Sequence, residues 1–138
     1  LYCGTGTIGL YLCEKKGHLT GIEEIETAIE NAKNNAKINN IKKTNFYSGR
    51  VKNILKFNEF DINTIVVDPP RSGMTPKALK RTADLKCKQI IYVSCNPITL
   101  MRDLKEFLKL RYKITHFVPV DMFPHTYHLE CVVKLTLN

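Results

Sequence analysis

A cysteine and a glutamate are the residues of this sequence best suited to covalent and acid–base chemistry. Cys95, in Ser94-Cys95-Asn96-Pro97, follows an apolar run that predicts a strand and precedes a predicted helix N-terminus. Because the positive end of a helix favours a thiolate, Cys95 is a candidate nucleophile. Glu130 lies in an otherwise apolar strand pattern, where a carboxylate needs a partner or a catalytic role. Glu130 is therefore a candidate general base, although alternation alone leaves open a position on the solvent face of the strand.

A glycine-rich turn and a later carboxylate predict a nucleotide site. Gly4-Thr5-Gly6-Thr7-Ile8-Gly9 matches the pattern G-x-G-x-x-G between a predicted strand and a predicted helix. Glycines let the backbone approach a ligand closely, and free N–H groups follow at the start of the helix. Glu23 ends the next predicted strand and has the position of a carboxylate that binds ribose hydroxyls. The pattern suits a dinucleotide and S-adenosylmethionine equally well, and a purely structural turn is the further alternative.

The segment Asp68-Pro69-Pro70-Arg71 predicts a rigid, extended loop after a buried strand. Proline fixes its own φ and disfavours helix in the residue before it, so the loop holds Asp68 at the end of the strand. Such a loop can present a carboxylate to a flat base or to the amine of a cofactor. A structural turn with an exposed acid is the alternative.

The histidines near Glu130 and the cysteines do not predict a metal centre. His125, His128 and Glu130 have a spacing unlike that of the zinc-dependent proteases. The five cysteines are odd in number and include no C-x-x-C pair, so neither a disulfide framework nor a zinc ribbon is expected. A reducing, cytoplasmic setting fits this cysteine usage best.

Length and composition predict one globular domain over residues 1–138. Hydrophobic residues make up 43% and charged residues 25%, which excludes a disordered chain. No apolar run approaches the length of a membrane span, and no signal peptide is visible, so we expect no membrane partner. The net charge of +8 favours a polyanionic partner such as RNA, although a lysine-rich composition alone would also produce it.

Strand and helix patterns alternate along the chain, which predicts an α/β fold with a mostly parallel, doubly wound sheet. Helices are predicted over 7–16, 25–36, 51–57 and 96–110, and a further helix is predicted to start at 75. Strands are predicted over 18–22, 45–48, 62–67, 89–94, 112–120 and 127–137. The last two strands are expected to form an antiparallel hairpin. The polar motifs follow strand ends, where the ligand sites of such sheets lie. The first residues, Leu1 and Tyr2, would be the end of a truncated strand, so we expect a fragment of a longer protein.

Taken together, these motifs resemble those of the RNA (uracil-5-)-methyltransferase family, and the resemblance runs from Leu1 to Glu130. The family's methyl donor is S-adenosylmethionine, on a Rossmann-like class I methyltransferase fold. The matching segments are Tyr2-Cys3-Gly4-Thr5-Gly6, Gly21-Ile22-Glu23, Asp68-Pro69-Pro70-Arg71, Ser94-Cys95-Asn96-Pro97 and Phe123 to Glu130. An N-terminal RNA-binding region and a donor-contacting glutamine, both usual in the family, are not in this sequence.

The resemblance assigns a role to each of these residues. Cys95 would add to C6 of uracil, and Glu130 would remove the proton from C5 after methyl transfer. The donor would contact Tyr2, Gly4, Gly6, Thr7, Glu23 and Asp68. The segments at 99–103 and 121–126 are more similar to the 23S ribosomal RNA branch of the family than to the transfer RNA branch. The alternatives are a tRNA uracil-C5 methyltransferase, an NAD-dependent oxidoreductase domain and a non-catalytic RNA-binding module. We expect the full-length protein to be a monomer.

Overall fold

A computed structural model describes residues 1–13 and 17–138 of the chain. The chain forms two compact units, Leu1–Phe57 and Asn58–Asn138. The first unit holds α1 (Thr7–Leu12), β1 (Leu19–Glu23), α2 (Glu26–Ile38), β2 (Thr44–Ser48) and α3 (Val51–Phe57). The second unit holds β3 (Thr64–Val67), α4 (Pro76–Asp84), β4 (Gln89–Ser94), α5 (Pro97–Lys109), β5 (Tyr112–Val120) and β6 (Glu130–Leu137). No helix in the described part of the chain is both long enough and apolar enough to cross a bilayer.

The first unit is built on the parallel pair β1 and β2, with Gly21 opposite Phe46. A Cβ atom on Gly21 would lie 2.5 Å from the Phe46 ring, so a side chain there would displace the ring from the sheet surface. The N–H of Cys3 donates to the carbonyl of Ile22 at 3.1 Å, which places the residues before the glycine turn beside β1. The sequence periodicity of α2 predicts one apolar face with Ile25, Ala28, Ile29, Ala32 and Ala36. The structure buries the last three of these, whereas Ile25 precedes the helix and is exposed.

The second unit is a four-stranded sheet with the strand order β3-β4-β6-β5. The strands β3 and β4 are parallel, and β6 runs antiparallel to both β4 and β5. The predicted antiparallel pairing of the last two strands is confirmed, and β6 also inserts between β5 and β4. Every second residue of β4, and of β6 as far as Leu135, is buried, so these two central strands share one covered face, whereas β5 is exposed along most of its length.

Both helices of the second unit begin as the sequence predicts. The Thr75 hydroxyl accepts from the N–H of Ala78, and a proline follows at the first helical position. The Asn96 side chain accepts from the N–H of Ile98 at 3.0 Å, again before a proline. The start of α5, directly after Cys95, is therefore set by local capping.

Several predicted boundaries differ from the structure, most of them by one or two residues. The strand predicted over 127–137 begins at Glu130, because the hydroxyl of Thr126 bonds the carbonyl of Phe123 and closes a turn before the ladder. The strand predicted over 62–67 begins at Thr64, which pairs with Gln89, the first residue of its partner strand. The helix predicted over 7–16 is observed over Thr7–Leu12, and residues 14–16 lie outside the described part of the chain.

Candidate active site

The carboxylate of Glu23 holds the glycine turn of the first unit. The N–H of Gly4 donates to Glu23 Oε2 at 3.0 Å. The N–H groups of Glu24 and Ile25 donate to Oε1 at 2.8 and 3.1 Å. An ionised carboxylate offers about four acceptor positions, so three bonds leave Oε2 able to accept one more from a ligand hydroxyl. The sequence predicted a ribose-binding carboxylate here, and the structure adds that the same carboxylate orders the turn.

The glycines of the turn serve different purposes. Gly4 has φ +50, and a Cβ atom there would have nothing within 4 Å, so the backbone borders open space. Gly6 has φ +82 and lies against Leu10, and a Cβ atom on Gly9 would come within 2.9 Å of the Leu19 side chain. Gly4 therefore leaves room for a ligand, whereas Gly6 and Gly9 allow close packing of α1.

Tyr2 and Thr7 flank this turn. Tyr2 is half-buried and has a left-handed backbone with φ +57, which is uncommon outside glycine and asparagine. Thr7 is exposed, begins α1 and lies 3.2 Å from the hydroxyl of Thr5, oxygen to oxygen. The side-chain amide of Asn35 donates to the Thr5 carbonyl at 3.0 Å, so α2 also holds the turn in place.

In the second unit, the strand register brings Cys95 and Glu130 together. Ser94, the last residue of β4, pairs with Cys131 of β6. Cys95 and Glu130 lie one position beyond this pair, at the same end of the two antiparallel strands. Glu130 is also paired with Val120 of β5. Both residues are half-buried, so each retains contact with solvent. The candidate nucleophile and the candidate base are thus neighbours at one edge of one sheet.

Asp68 lies at the same edge, one residue beyond β3. The preceding residue, Val67, pairs with Tyr92 of β4. Although Asp68 retains substantial solvent exposure, nearby protein atoms desolvate its carboxyl group and raise its pKa, and the negative charge of Glu130 raises it further. Asp68 and Glu130 therefore interact electrostatically.

The loop after Asp68 is tied to the start of α5. The carbonyl of Arg71 accepts from the Asn96 side-chain amide and from the Thr99 hydroxyl, both at 3.0 Å. The N–H of Gly73 donates to the Pro70 carbonyl at 2.8 Å and closes a turn. The loop that presents Asp68 and the loop that presents Cys95 are consequently joined by direct hydrogen bonds.

A buried acid that sequence reasoning missed lies under these loops. Asp103 is 2% exposed, and its Oδ2 accepts from the N–H of Met74 and from the Tyr92 hydroxyl, each at 2.7 Å. Its Oδ1 accepts from Arg102 Nε and Nη2 at 2.9 and 2.8 Å. One signal was available in the sequence, since Asp103 lies between Leu100 and Leu104 on the apolar face of a predicted helix. A charge at such a position needs a buried partner.

Three of the other cysteines, Cys3, Cys87 and Cys131, lie in surroundings that disfavour a thiolate. Burial raises the pKa of Cys87 and Cys131, both 1% exposed, and Glu130 raises that of Cys131 further. Burial and the charge of Glu23 also raise the pKa of Cys3. These thiols are held in the protonated form, which is unreactive. No disulfide joins any of the five cysteines, all of which lie in the described residues.

The histidine segment forms an exposed aromatic cluster. The ring of His128 contacts Tyr127 with centroids 4.3 Å apart and Phe123 with centroids 6.3 Å apart. His125 has a left-handed backbone with φ +67, within the turn that precedes β6. Within residues 1–13 and 17–138, no three histidine, cysteine or acidic side chains are grouped so as to hold a metal ion.

Comparison with solved structures identifies the fold class as that of the Rossmann-like methyltransferases. One example is a precorrin-6y C5,15-methyltransferase from Geobacter metallireducens, with a TM-score of 0.75 at 12% identity over 100% of this chain and 77% of that chain. The resemblance at this level concerns the fold alone.

The family follows from the sequence. The model of the tRNA (uracil-5-)-methyltransferase family matches residues 1–138, and the chain belongs to that family. A Pyrococcus abyssi tRNA (uracil-54, C5)-methyltransferase, solved in complex with S-adenosyl-L-homocysteine, is 41% identical with a TM-score of 0.85. That alignment covers 98% of this chain and 33% of the other. An RNA methyltransferase of Bacillus cereus is 45% identical over 98% of this chain. The chain spans 30% of that relative's length.

Proposed function

We propose that this chain is the catalytic part of an enzyme that transfers a methyl group from S-adenosylmethionine to C5 of a uridine in RNA. Membership of the uracil-5 methyltransferase family supports the reaction class. The observation that carries the catalytic assignment is the β4–β6 register. Ser94 and Cys131 are paired, and Cys95 and Glu130 both lie one position beyond this pair at the same end of the two strands. A nucleophile and a base that act in turn on adjacent carbon atoms of one ring must lie this close together.

The glycine turn and Glu23 fit the methyl donor. A ligand can approach the backbone at Gly4, where a Cβ atom would meet nothing within 4 Å, and Glu23 Oε2 can accept from a ribose hydroxyl. S-adenosylmethionine supplies an electrophilic methyl group on a sulfonium sulfur. We assign Tyr2, Gly4, Gly6, Thr7 and Glu23 to the binding of this donor, and Asp68 to the junction of donor and target base.

The cysteine is needed because C5 of uracil is a weak nucleophile. The thiolate of Cys95 forms a bond to C6, and the electron pair of the C5–C6 double bond moves toward C5 and the O4 carbonyl as an enolate. This electron pair forms the new bond from C5 to the methyl carbon, and the bond from that carbon to the donor sulfur breaks. Glu130 then removes the C5 proton, the double bond re-forms, and Cys95 leaves as the thiolate.

The proposal also concerns which class of RNA carries the target uridine. Ribosomal RNA is the first substrate to test, because the segments at 99–103 and 121–126 are more similar to that branch of the family. Transfer RNA is the second, favoured by the 41% identity to a tRNA (uracil-54, C5)-methyltransferase. In either RNA the target uridine must leave its stack to reach Cys95. The five cysteines, none of which is in a disulfide, favour a cytoplasmic enzyme.

A trapping assay tests this proposal on the full-length protein. RNA that contains 5-fluorouridine is incubated with the protein and S-adenosylmethionine, and the products are separated on a denaturing gel. Fluorine at C5 cannot leave as a proton, so the reaction should stall as a covalent protein–RNA adduct. Cys95→Ala should abolish the adduct, whereas Cys13→Ala, a change at another half-buried cysteine, should leave it intact.

The negative outcomes separate the alternatives. An adduct that persists in Cys95→Ala would show that another residue is the nucleophile. Binding of NADH without binding of S-adenosylhomocysteine would favour an oxidoreductase domain. If the protein binds RNA, forms no adduct and behaves identically after Cys95→Ala, the chain acts as a binding module.

A further inference from the structure

The buried carboxylate of Asp103 joins three segments of the second unit. It accepts from the loop after β3 through the N–H of Met74, from β4 through the Tyr92 hydroxyl, and from its own helix through Arg102. We propose that Asp103 is a positioning residue that holds the loop of Asp68 against the loop of Cys95. This inference rests on the proposed function, since it concerns how those two residues are aligned.

The Arg102 guanidinium extends this connection along the loop. Besides Asp103, its Nη2 donates to the carbonyls of Ser72 and Met74 at 2.9 and 3.2 Å. Gly73 lies between these two residues, and a Cβ atom on it would come within 2.6 Å of Arg102 Nη2 and 2.7 Å of Asp103 Oδ2. The loop can therefore wrap around the ion pair only because a glycine occupies this position.

The location of the connection explains why it would affect the reaction. Tyr92 lies in β4, three residues before Cys95, and Asp103 lies in the helix α5, which starts just after Cys95. The other end of the connection is the loop that begins at Asp68. A hydrogen-bonded network in a buried, low-dielectric site is rigid, so it resists relative movement of the two loops. Small displacements of reacting groups can reduce rates on the order of 100-fold.

Two buried tyrosines provide a matched test. Tyr92→Phe removes the hydroxyl that bonds Asp103, whereas Tyr112→Phe removes a hydroxyl that bonds the carbonyl of Cys87 at 3.1 Å. Both rings are fully buried, so each substitution removes a hydroxyl that makes a buried hydrogen bond in the same unit. In the full-length protein, Tyr92→Phe should slow adduct formation with 5-fluorouridine RNA roughly 10-fold, and Tyr112→Phe should stay within about 2-fold of wild type. Affinity for S-adenosylhomocysteine should be unchanged in both.

The melting temperatures of the two variants distinguish positioning from stability. If both variants slow adduct formation in proportion to their loss of melting temperature, the Tyr92–Asp103 bond is structural only and the proposal is wrong. Slower adduct formation by Tyr92→Phe than by Tyr112→Phe, at similar melting temperatures, supports the positioning role of Asp103.

Hydrogen exchange tests the same connection without relying on catalysis. In Asp103→Asn the amide of Met74 loses its charged acceptor, so the amides of Gly73 and Met74 should exchange at least about 10-fold faster than in wild type. Amides of the strand β2, in the first unit, serve as the internal control. Unchanged exchange at Gly73 and Met74 would overturn the positioning role, even if the wild-type protein forms no adduct. The absence of an adduct with wild-type protein would instead count against the proposed function.

Discussion

Replacing Gly73 with alanine adds a methyl group where the backbone is left-handed and the surroundings are full. The φ angle is +74, and the added Cβ atom would lie 2.6 Å from Arg102 Nη2, 2.7 Å from Asp103 Oδ2 and 3.2 Å from the Thr99 Cβ. Either both Arg102 and Asp103 or the loop itself must therefore move. Gly73→Ala should therefore lower the free energy of unfolding substantially, although the substitution only adds a methyl group.

The magnitude has two parts. A left-handed backbone costs a non-glycine residue about 1–2 kcal/mol. Displacing Arg102 weakens charge-assisted hydrogen bonds to a buried carboxylate, each worth about 1.5–3 kcal/mol. The sum is roughly 3–5 kcal/mol for Gly73→Ala. Gly4→Ala is the matched control, because Gly4 also has a positive φ of +50 but its Cβ would have nothing within 4 Å. Only the backbone cost of about 1–2 kcal/mol applies there.

Urea denaturation of the ligand-free protein measures the difference. With an m-value of about 2 kcal/mol/M, Gly73→Ala should lower the midpoint by roughly 2 M and Gly4→Ala by less than about 1 M. A double variant with Arg102→Ala should lose less than the sum of the single changes, because one of the two closest clash partners is gone and the Asp103 carboxylate is freer to move. Equal losses from Gly73→Ala and Gly4→Ala would refute the reasoning about the Asp103 network.

Three further outcomes are expected. Glu23→Gln replaces one of the two carboxylate oxygens, each of which accepts backbone N–H groups, with an amide donor. The affinity of this variant for S-adenosylhomocysteine, measured by calorimetry, should be lower than that of wild type by at least about 10-fold. The pKa of Asp68 in the folded state is raised above its unfolded value of 3.8, so the folded state binds the proton more tightly than the unfolded state does. The stability of the wild-type protein therefore falls as the pH rises from the unfolded pKa through the folded pKa. Asp68→Asn should therefore gain stability relative to wild type as pH rises above about 3.8, and equal denaturation curves across that range would contradict this. Iodoacetamide should alkylate Cys95 well before Cys87 and Cys131, both 1% exposed, as read by peptide mass spectrometry.

Most elements were predictable because their signals are local. A threonine or an asparagine followed by proline predicts a helix start, and the caps at Thr75 and Asn96 confirm both. Helix periodicity predicts the buried face of α2, and the apolar run at 89–94 is the strand β4. The start of β6 was predicted three residues too early, because the turn that ends at His128 depends on hydrogen bonds that an alternating pattern does not reveal.

The candidate residues come from the sequence, whereas several of their contacts do not. The sequence singles out Cys95, Asp68 and Glu23 because each lies at the end of a predicted strand, and Glu130 because it is an acid in an otherwise apolar strand pattern. It did not indicate that Glu23 accepts three backbone N–H groups and so orders the turn. It also did not indicate the importance of Asp103, whose partners come from other parts of the unit.

The sequence by itself determined the alternation of strands and helices, the family and the candidate residues, because these follow from neighbouring side chains and short motifs. Only the tertiary structure decided the insertion of β6 between β4 and β5, which carries Glu130 to the position beyond Cys95. It also decided that the Gly73 backbone lies against the buried carboxylate of Asp103 and its partner Arg102. Strand order and buried partners depend on contacts between residues far apart in the chain, which no local pattern specifies.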